Sequence, residues 1–234
     1  MPLTLQKLIA NSNYYSRRQV EKLILSGQVS LNGRVAKLSD RAEESDLIKI
    51  NDLVLDLKPA KKIYLKFHKP IGYTCTNKRF PGEKNVFDLI QLPGKLIIAG
   101  RLDKDSSGLL ILTSDGDFAL KLSHPRFEHK KIYEVRLAPF AENPNEIVKN
   151  LRAGVNIGEG DGTVKAKQIK YLQTGVFIIT LSEGKKRQIR RMFGSLGLKV
   201  EKLKRLSIAG IELGDLPLGK WLALTPKEIN SIKK

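Results

Sequence analysis

Asp103 stands in the stretch Ala99-Gly100-Arg101-Leu102-Asp103-Lys104-Asp105-Ser106-Ser107-Gly108, with cations on either side and a glycine near each end. A carboxylate held on a short loop can act as nucleophile, as general base or as anchor for the charged end of a substrate. The same pattern describes a solvated turn between two strands, and residue types alone leave both readings open. Arg190 lies in Lys185–Arg191, five cations in seven residues, which by itself reads as a set of phosphate contacts. Tyr133 sits in the alternating run Ile132–Leu137, where packing alone would account for it. His68, His124 and His129 have no metal-ligand spacing, and Cys75 is the only cysteine, so no metal site and no internal disulfide are expected. No P-loop pattern occurs, and Asp105, Asp115 and Asp117 read as turn and helix-start residues, which argues against an ATPase or a nuclease.

These residues need elements to hold them. Leu96–Ala99 predicts a strand into the Asp103 loop, and Leu109–Leu112 a strand out of it, closed by Ser114-Asp115-Gly116. Phe118–Leu122 predicts a short helix, and Ile132–Leu137 a strand. Asn143-Pro144 opens a helix, and strands follow over 155–157, 164–172 and 176–181. Gly158, Gly160 and Gly162 form a G-x-G-x-G run with no helix behind it, so a hairpin turn is expected there rather than a dinucleotide site. The helix near 187–196 carries the apolar stripe Ile189, Met192, Phe193 and Leu196, which anchors the basic segment. Lys199–Ile208 predicts a late strand. This order, without a repeating strand-helix-strand rhythm, predicts an α+β domain with a mainly antiparallel mixed sheet.

The chain has 234 residues, with 42 Lys and Arg against 24 Asp and Glu, a net charge of +18. That excess points to a polyanionic partner, with nucleic acid first. No run is apolar and long enough for a bilayer span, and the start shows no secretory pattern, so a cytoplasmic protein is expected. Near the N-terminus, Ser16 and Gln19 form a capping-box pattern ahead of Val20, Leu23 and Ile24, and Asn32-Gly33 is a hairpin signal. Arg17, Arg18 and Lys22 share the outer face of that helix.

Four stretches, in order, carry a resemblance. The N-terminal helix, turn and hairpin are similar to an S4 RNA-binding domain. Lys66-Phe67-His68-Lys69-Pro70-Ile71-Gly72, AGRLDKDSSGLLILTSDG over 99–116, and Glu183–Phe193 resemble three motifs of the ribosomal RNA pseudouridine synthases of the small-subunit and large-subunit type. His68 stands where asparagine is usual, and Ser106 where threonine is. The resemblance implies an S4-like domain over 1–58, a linker at 59–62 and a catalytic domain over 63–234. It implies isomerisation of a uridine in RNA without a cofactor. Asp103 would be the catalytic aspartate, Tyr133 the aromatic stacked on the flipped base, and Arg190 the partner of the aspartate. Leu203 and Arg101 would line the base pocket. The cations expected to meet RNA are Arg17, Arg18, Lys22, Lys69, Lys131, Lys185, Lys186, Arg187 and Arg191. The implied partner is ribosomal RNA or an assembling subunit, met by a monomer, with a slight lean to the large subunit. A non-catalytic, RNA-binding assembly factor is the alternative.

Overall fold

The computed structural model describes all residues except 1, 13, 58–60, 93, 140, 141, 174 and 234. It divides into two compact units, Met1–Ile63 with Leu92–Leu96, and Tyr64–Gln91 with Ile97–Lys234. The connection expected at 59–62 lies partly outside the described residues.

In the first unit, helix α1 (Leu5–Asn11) is followed by α2 (Arg17–Leu25). The Ser16 hydroxyl accepts from the Gln19 N–H at 3.2 Å and the Gln19 side chain accepts from the Ser16 N–H at 2.9 Å, so two helix-start donors are paired reciprocally. Val20 and Ile24 turn into a core with Leu5, Ile9, Val29, Ile48 and Ile50, leaving Arg17, Arg18 and Lys22 exposed. Asn32 and Gly33 take φ of 50° and 84° and close the hairpin Val29–Leu31/Arg34–Val35. A four-stranded sheet runs in the order 34–35, 29–31, 48–50, 53–54.

The second unit is built on a sheet with nine strands among the described residues: β1 (Tyr64–Lys69), β2 (Ile97–Ala99), β3 (Ser107–Thr113), β4 (Lys131–Leu137), β5 (Gln168–Tyr171), β6 (Val176–Leu181), β7 (Val200–Ile208), β8 (Ile211–Glu212) and β9 (Trp221–Ala223). Their order is β5-β6-β4-β7-β3-β1-β9, with β2 on β3 and β8 on β7. Every pair is antiparallel except β3 with β7, where Ser107 and Gly108 lie beside Lys204 and Arg205. Helices α3 (Gly116–Ser123), α4 (Pro144–Ala153), α5 (Gln188–Gly194) and α6 (Pro226–Lys233) complete it. One core gathers Ala99, Leu109, Ile111, Phe118 and Ile208.

Two expectations change. The strand expected over 164–172 is broken: Thr163–Val164 pairs with Val155–Asn156 as a hairpin, and only Gln168–Tyr171 joins the sheet, on β6. Helix α6 was not anticipated; its Glu228 receives Lys66 at 3.0 Å and closes its own first turn through the Thr225 N–H at 2.8 Å. No helix among the described residues is long and apolar enough to cross a membrane, and no cluster of three or more His, Cys, Asp or Glu there could hold a metal.

Candidate active site

The β2–β3 loop opens on a cavity of about 770 Å³, a volume suited to a single nucleotide. Asp103 and Arg101 line it from that loop, Lys131 and Tyr133 from β4, Leu203 and Arg205 from β7, and Lys185 to Ile189 from the entry into α5. Tyr133 sits beside Arg205 across the β4–β7 pairing, next to a bulge, and is 8% exposed. Asp103, Tyr133, Leu203 and Arg101 are thereby brought to one cavity.

The loop is held by two buried cations that have no carboxylate within ion-pair distance among the described residues. Lys69 is fully buried, and its ammonium donates to the carbonyls of Ser106 at 2.7 Å, Pro70 at 3.0 Å, Asp103 at 3.1 Å and Lys104 at 3.4 Å. Arg205, 2% exposed, donates to Leu109 O at 2.7 Å, Gly100 O at 3.1 Å and Arg101 O at 3.4 Å. Burial lowers the Lys69 pKa, and the charges of Asp105 and Asp103 push back. The expectation that Lys69 meets RNA is therefore corrected: its ammonium faces inward, where four carbonyls replace solvent. Arg205 was missed. An arginine inside a strand reads as an outward-facing cation, and only the carbonyls opposite it reveal the inward fork.

Gly108 explains why the loop can meet β7 so closely. At φ 109°, a Cβ built there would lie 2.3 Å from Arg205 O and 2.4 Å from Arg205 N, so the parallel crossing needs a residue without one.

The resemblance implies that Arg190 pairs with Asp103; among the described residues it meets Asp105 instead. Its guanidinium donates to Val200 O and Asp105 O, each at 2.8 Å, and its Nε lies 3.2 Å from Asp105 Oδ2. Arg187 takes the same Asp105 oxygen at 2.9 Å. Burial pushes the Asp105 carboxyl upward, but the Arg187 hydrogen bond and the charges of Arg190 and Arg187 outweigh it, leaving a value below the ordinary one. Asp105 is thus an ion-pair centre beyond the turn residue expected. The Asp103 carboxylate makes no hydrogen bond or ion pair among the described residues.

The basic segment also folds partly inward. Arg191 donates to Ile157 O at 2.8 Å, to Lys186 O at 3.1 Å and to Asp161 Oδ2 at 2.6 Å, and it also donates to Gly158 O. The glycine run 158–162 is therefore a hairpin tip clasped by α5, and Arg191, expected on RNA, braces it instead. Lys185 reaches the same Asp161, whereas Lys186, 76% exposed, and Arg187 remain open to solvent. Lys131 lines the cavity, and burial lowers its pKa, with the Arg205 charge adding to it.

A family profile described as RNA pseudouridylate synthase matches residues 63–195, and an S4 domain profile matches 3–48. The chain is 37% identical to ribosomal large subunit pseudouridine synthase B of Bacillus subtilis, over 98% of this chain and 95% of that one. It is 36% identical to the dual-specificity RNA pseudouridine synthase RluF of Escherichia coli, over 98% and 78%. A solved structure, the crystal structure of a pseudouridylate synthase, superposes with a TM-score of 0.70 at 31% identity, covering 98% of this chain and 99% of that one.

Proposed function

The chain belongs to the RNA pseudouridylate synthase family, as an RNA-modifying isomerase with an S4 domain at its N-terminus, and from that premise we propose that Asp103 carries the isomerisation of a specific uridine in ribosomal RNA. The observation that carries this reading is the unpaired Asp103 carboxylate at a cavity wall, on a loop whose carbonyls are held by Lys69 and Arg205. A reactive carboxylate gains from a rigid backbone and an open face.

A uridine inside a helix must be extruded to reach such a cavity, and the Tyr133 ring offers a face worth about 1 to 3 kcal/mol of lost stacking. Leu203 lines the same cavity. In the reaction the C1′–N1 bond breaks, the uracil turns within the cavity and a C5–C1′ bond forms; the C5 proton leaves to water and N1 takes one up. Lys69 and Arg205 hold the backbone of the Asp103 loop, and Arg187 and Arg190 hold Asp105 on it. Arg190 acts in this reading through the turn it braces. Arg17, Arg18 and Lys22 on α2, with Lys185, Lys186, Arg187 and Lys131, attract the phosphates. The substrate is taken to be large-subunit RNA, as the name of the Bacillus subtilis relative says of that protein, met by a monomer as free RNA or as part of an assembling subunit.

The test is tritium release from 5-tritiated uridine in ribosomal RNA made in cells lacking this enzyme. Wild type is expected to release tritium, and Asp103→Asn to release at least 10³-fold less while binding RNA equally. Binding by both proteins with release by neither would leave a non-catalytic RNA-binding protein.

A further inference from the structure

Between α3 and β4 the chain makes a short turn at the edge of the cavity. Ser123 and Pro125 line the cavity from one end of this turn, and Lys131 lines it from the other. Pro125–Phe127 forms a single 3-10 turn, opened by the His124 ring, whose Nδ1 accepts from the Arg126 N–H at 3.2 Å. Glu128 then takes φ 46° and ψ 32°, a left-handed step that redirects the chain into β4. Across that step the Phe127 and His129 rings stack, 6.1 Å between centroids and 18° between planes, and the His124 ring meets Phe127 edge-on at 6.4 Å and 81°. Lys131 Nζ donates to the His129 carbonyl at 3.3 Å, so the ring group is tied to a cation of the cavity.

Arg126 lies over this group. Its guanidinium carbon is 4.6 Å from the Phe127 ring centroid, a cation–π distance, and the side chain is exposed. Among the described residues its guanidinium makes no hydrogen bond and no ion pair. The arginines of the α5 and β7 side differ: Arg187 and Arg190 are held by Asp105, Arg191 by Asp161, and Arg205 by carbonyls. A guanidinium placed on a ring has one side covered and the other open, and it is weakly hydrated, so covering the open side costs little. RNA offers a matching surface, since unstacked bases settle on guanidinium planes as they do on aromatic rings.

We propose that Arg126, supported by Phe127, is a stacking platform for an unpaired RNA base next to the flipped uridine. The inference rests on the chain drawing a uridine into the Asp103 cavity. When that uridine leaves the helix, the bases beside it lose a stacking neighbour. Arg126 stands at the cavity edge, between Pro125 and Lys131, where such a base emerges. Lys130 is exposed in the same segment and offers a charge to the phosphates of that strand. A platform of this kind grips the face of a base and not its edge, so it adds affinity without adding a sequence preference.

The experiment is filter binding, between 50 and 300 mM KCl, of ribosomal RNA made in cells lacking this enzyme, beside the KM for tritium release from the same RNA. Arg126→Lys keeps the charge and loses the planar fork; Kd and KM are expected to rise about 3- to 10-fold, with the slope of log affinity against log salt within about 0.2 of wild type. Phe127→Leu leaves the arginine and removes the ring beneath it, and the same rise is expected. Phe127→Tyr keeps a ring, and both constants are expected to stay within about twofold of wild type. An Arg126→Lys protein that binds within twofold of wild type would overturn the proposal, because charge alone would then suffice and Arg126 would be a phosphate contact or a solvated side chain. A folding defect in Phe127→Leu shows as a lower Tm, and Arg126→Lys, at an exposed position, then decides by itself. Absence of tritium release by wild type would overturn the assignment of the reaction instead, while the binding measurement, which needs no turnover, still decides the platform.

Discussion

Lys69 shows how far a single residue's type can mislead. A lysine beside proline in a chain of charge +18 invites an RNA contact, yet its ammonium is buried under four carbonyls. Hydrogen bonds to a charged group are worth about 1.5 to 3 kcal/mol each, and a buried carbonyl left bare costs about 1 to 3. Lys69→Met is therefore expected to lower Tm by roughly 5 to 15 °C and tritium release at least 10-fold, with RNA affinity and its salt dependence unchanged. A variant that melts like wild type but binds RNA more weakly would restore the surface reading. Asp105 carries a prediction of a different kind, since its carboxyl titrates below the ordinary value in the folded chain. The unfolded chain then takes up that proton first as pH falls. The stability Asp105 contributes is complete above its unfolded value, about 3.9, and is lost as pH falls through the folded one. In thermal melts from pH 7 to pH 3, the gap in Tm between wild type and Asp105→Asn should be full at neutral pH and close below about pH 4. A gap constant across that range would show that the pair is not the cause.

At the scale of elements, the local chemistry was readable where neighbours along the chain decide it. The Ser16/Gln19 capping box, the Asn32-Gly33 hairpin and the strands around Asp103 all depend on contacts within a few residues. What needed the fold was different in kind. The 164–172 run breaks because Val164 finds Val155 across a hairpin whose tip Arg191 fastens, and no period within the run encodes that. Asp103 stood out as a candidate through the resemblance, but the ion pairs of its neighbour Asp105 were not readable, because the arginines that meet it are more than eighty residues away. Gly108 belongs to this scale too, as the point where β3 crosses beside β7. Gly108→Ala would drive a Cβ into the Arg205 backbone at 2.3 Å while forcing alanine to φ 109°, so the strands must separate. We expect a loss of at least about 3 kcal/mol, read as a lower urea midpoint. A midpoint within 0.2 M of wild type would mean that the crossing yields cheaply.

Charge is the property of the whole molecule, and the two units do not share it evenly. Residues 1–63 hold eleven Lys and Arg against seven Asp and Glu, so most of the +18 belongs to the second unit. There, however, Lys69 and Arg205 are buried, and Arg187, Arg190 and Arg191 are engaged by Asp105 and Asp161. Net charge therefore overstates the cations that the cavity side offers to phosphates, and the exposed Arg18 and Lys22 of α2 weigh more than their number suggests. Each phosphate contact contributes about 0.7 to 0.9 to the slope of log affinity against log salt. Arg18→Gln with Lys22→Gln should lower that slope by roughly 1.5 to 2, raise KM for tritium release and leave kcat within twofold, because neither side chain lines Asp103's cavity. Filter binding between 50 and 300 mM KCl measures the slope directly. An unchanged slope would place the RNA entirely on the second unit and leave α2 as a solvated face, whereas a fall in kcat would mean that docking by the first unit also positions the uridine for reaction.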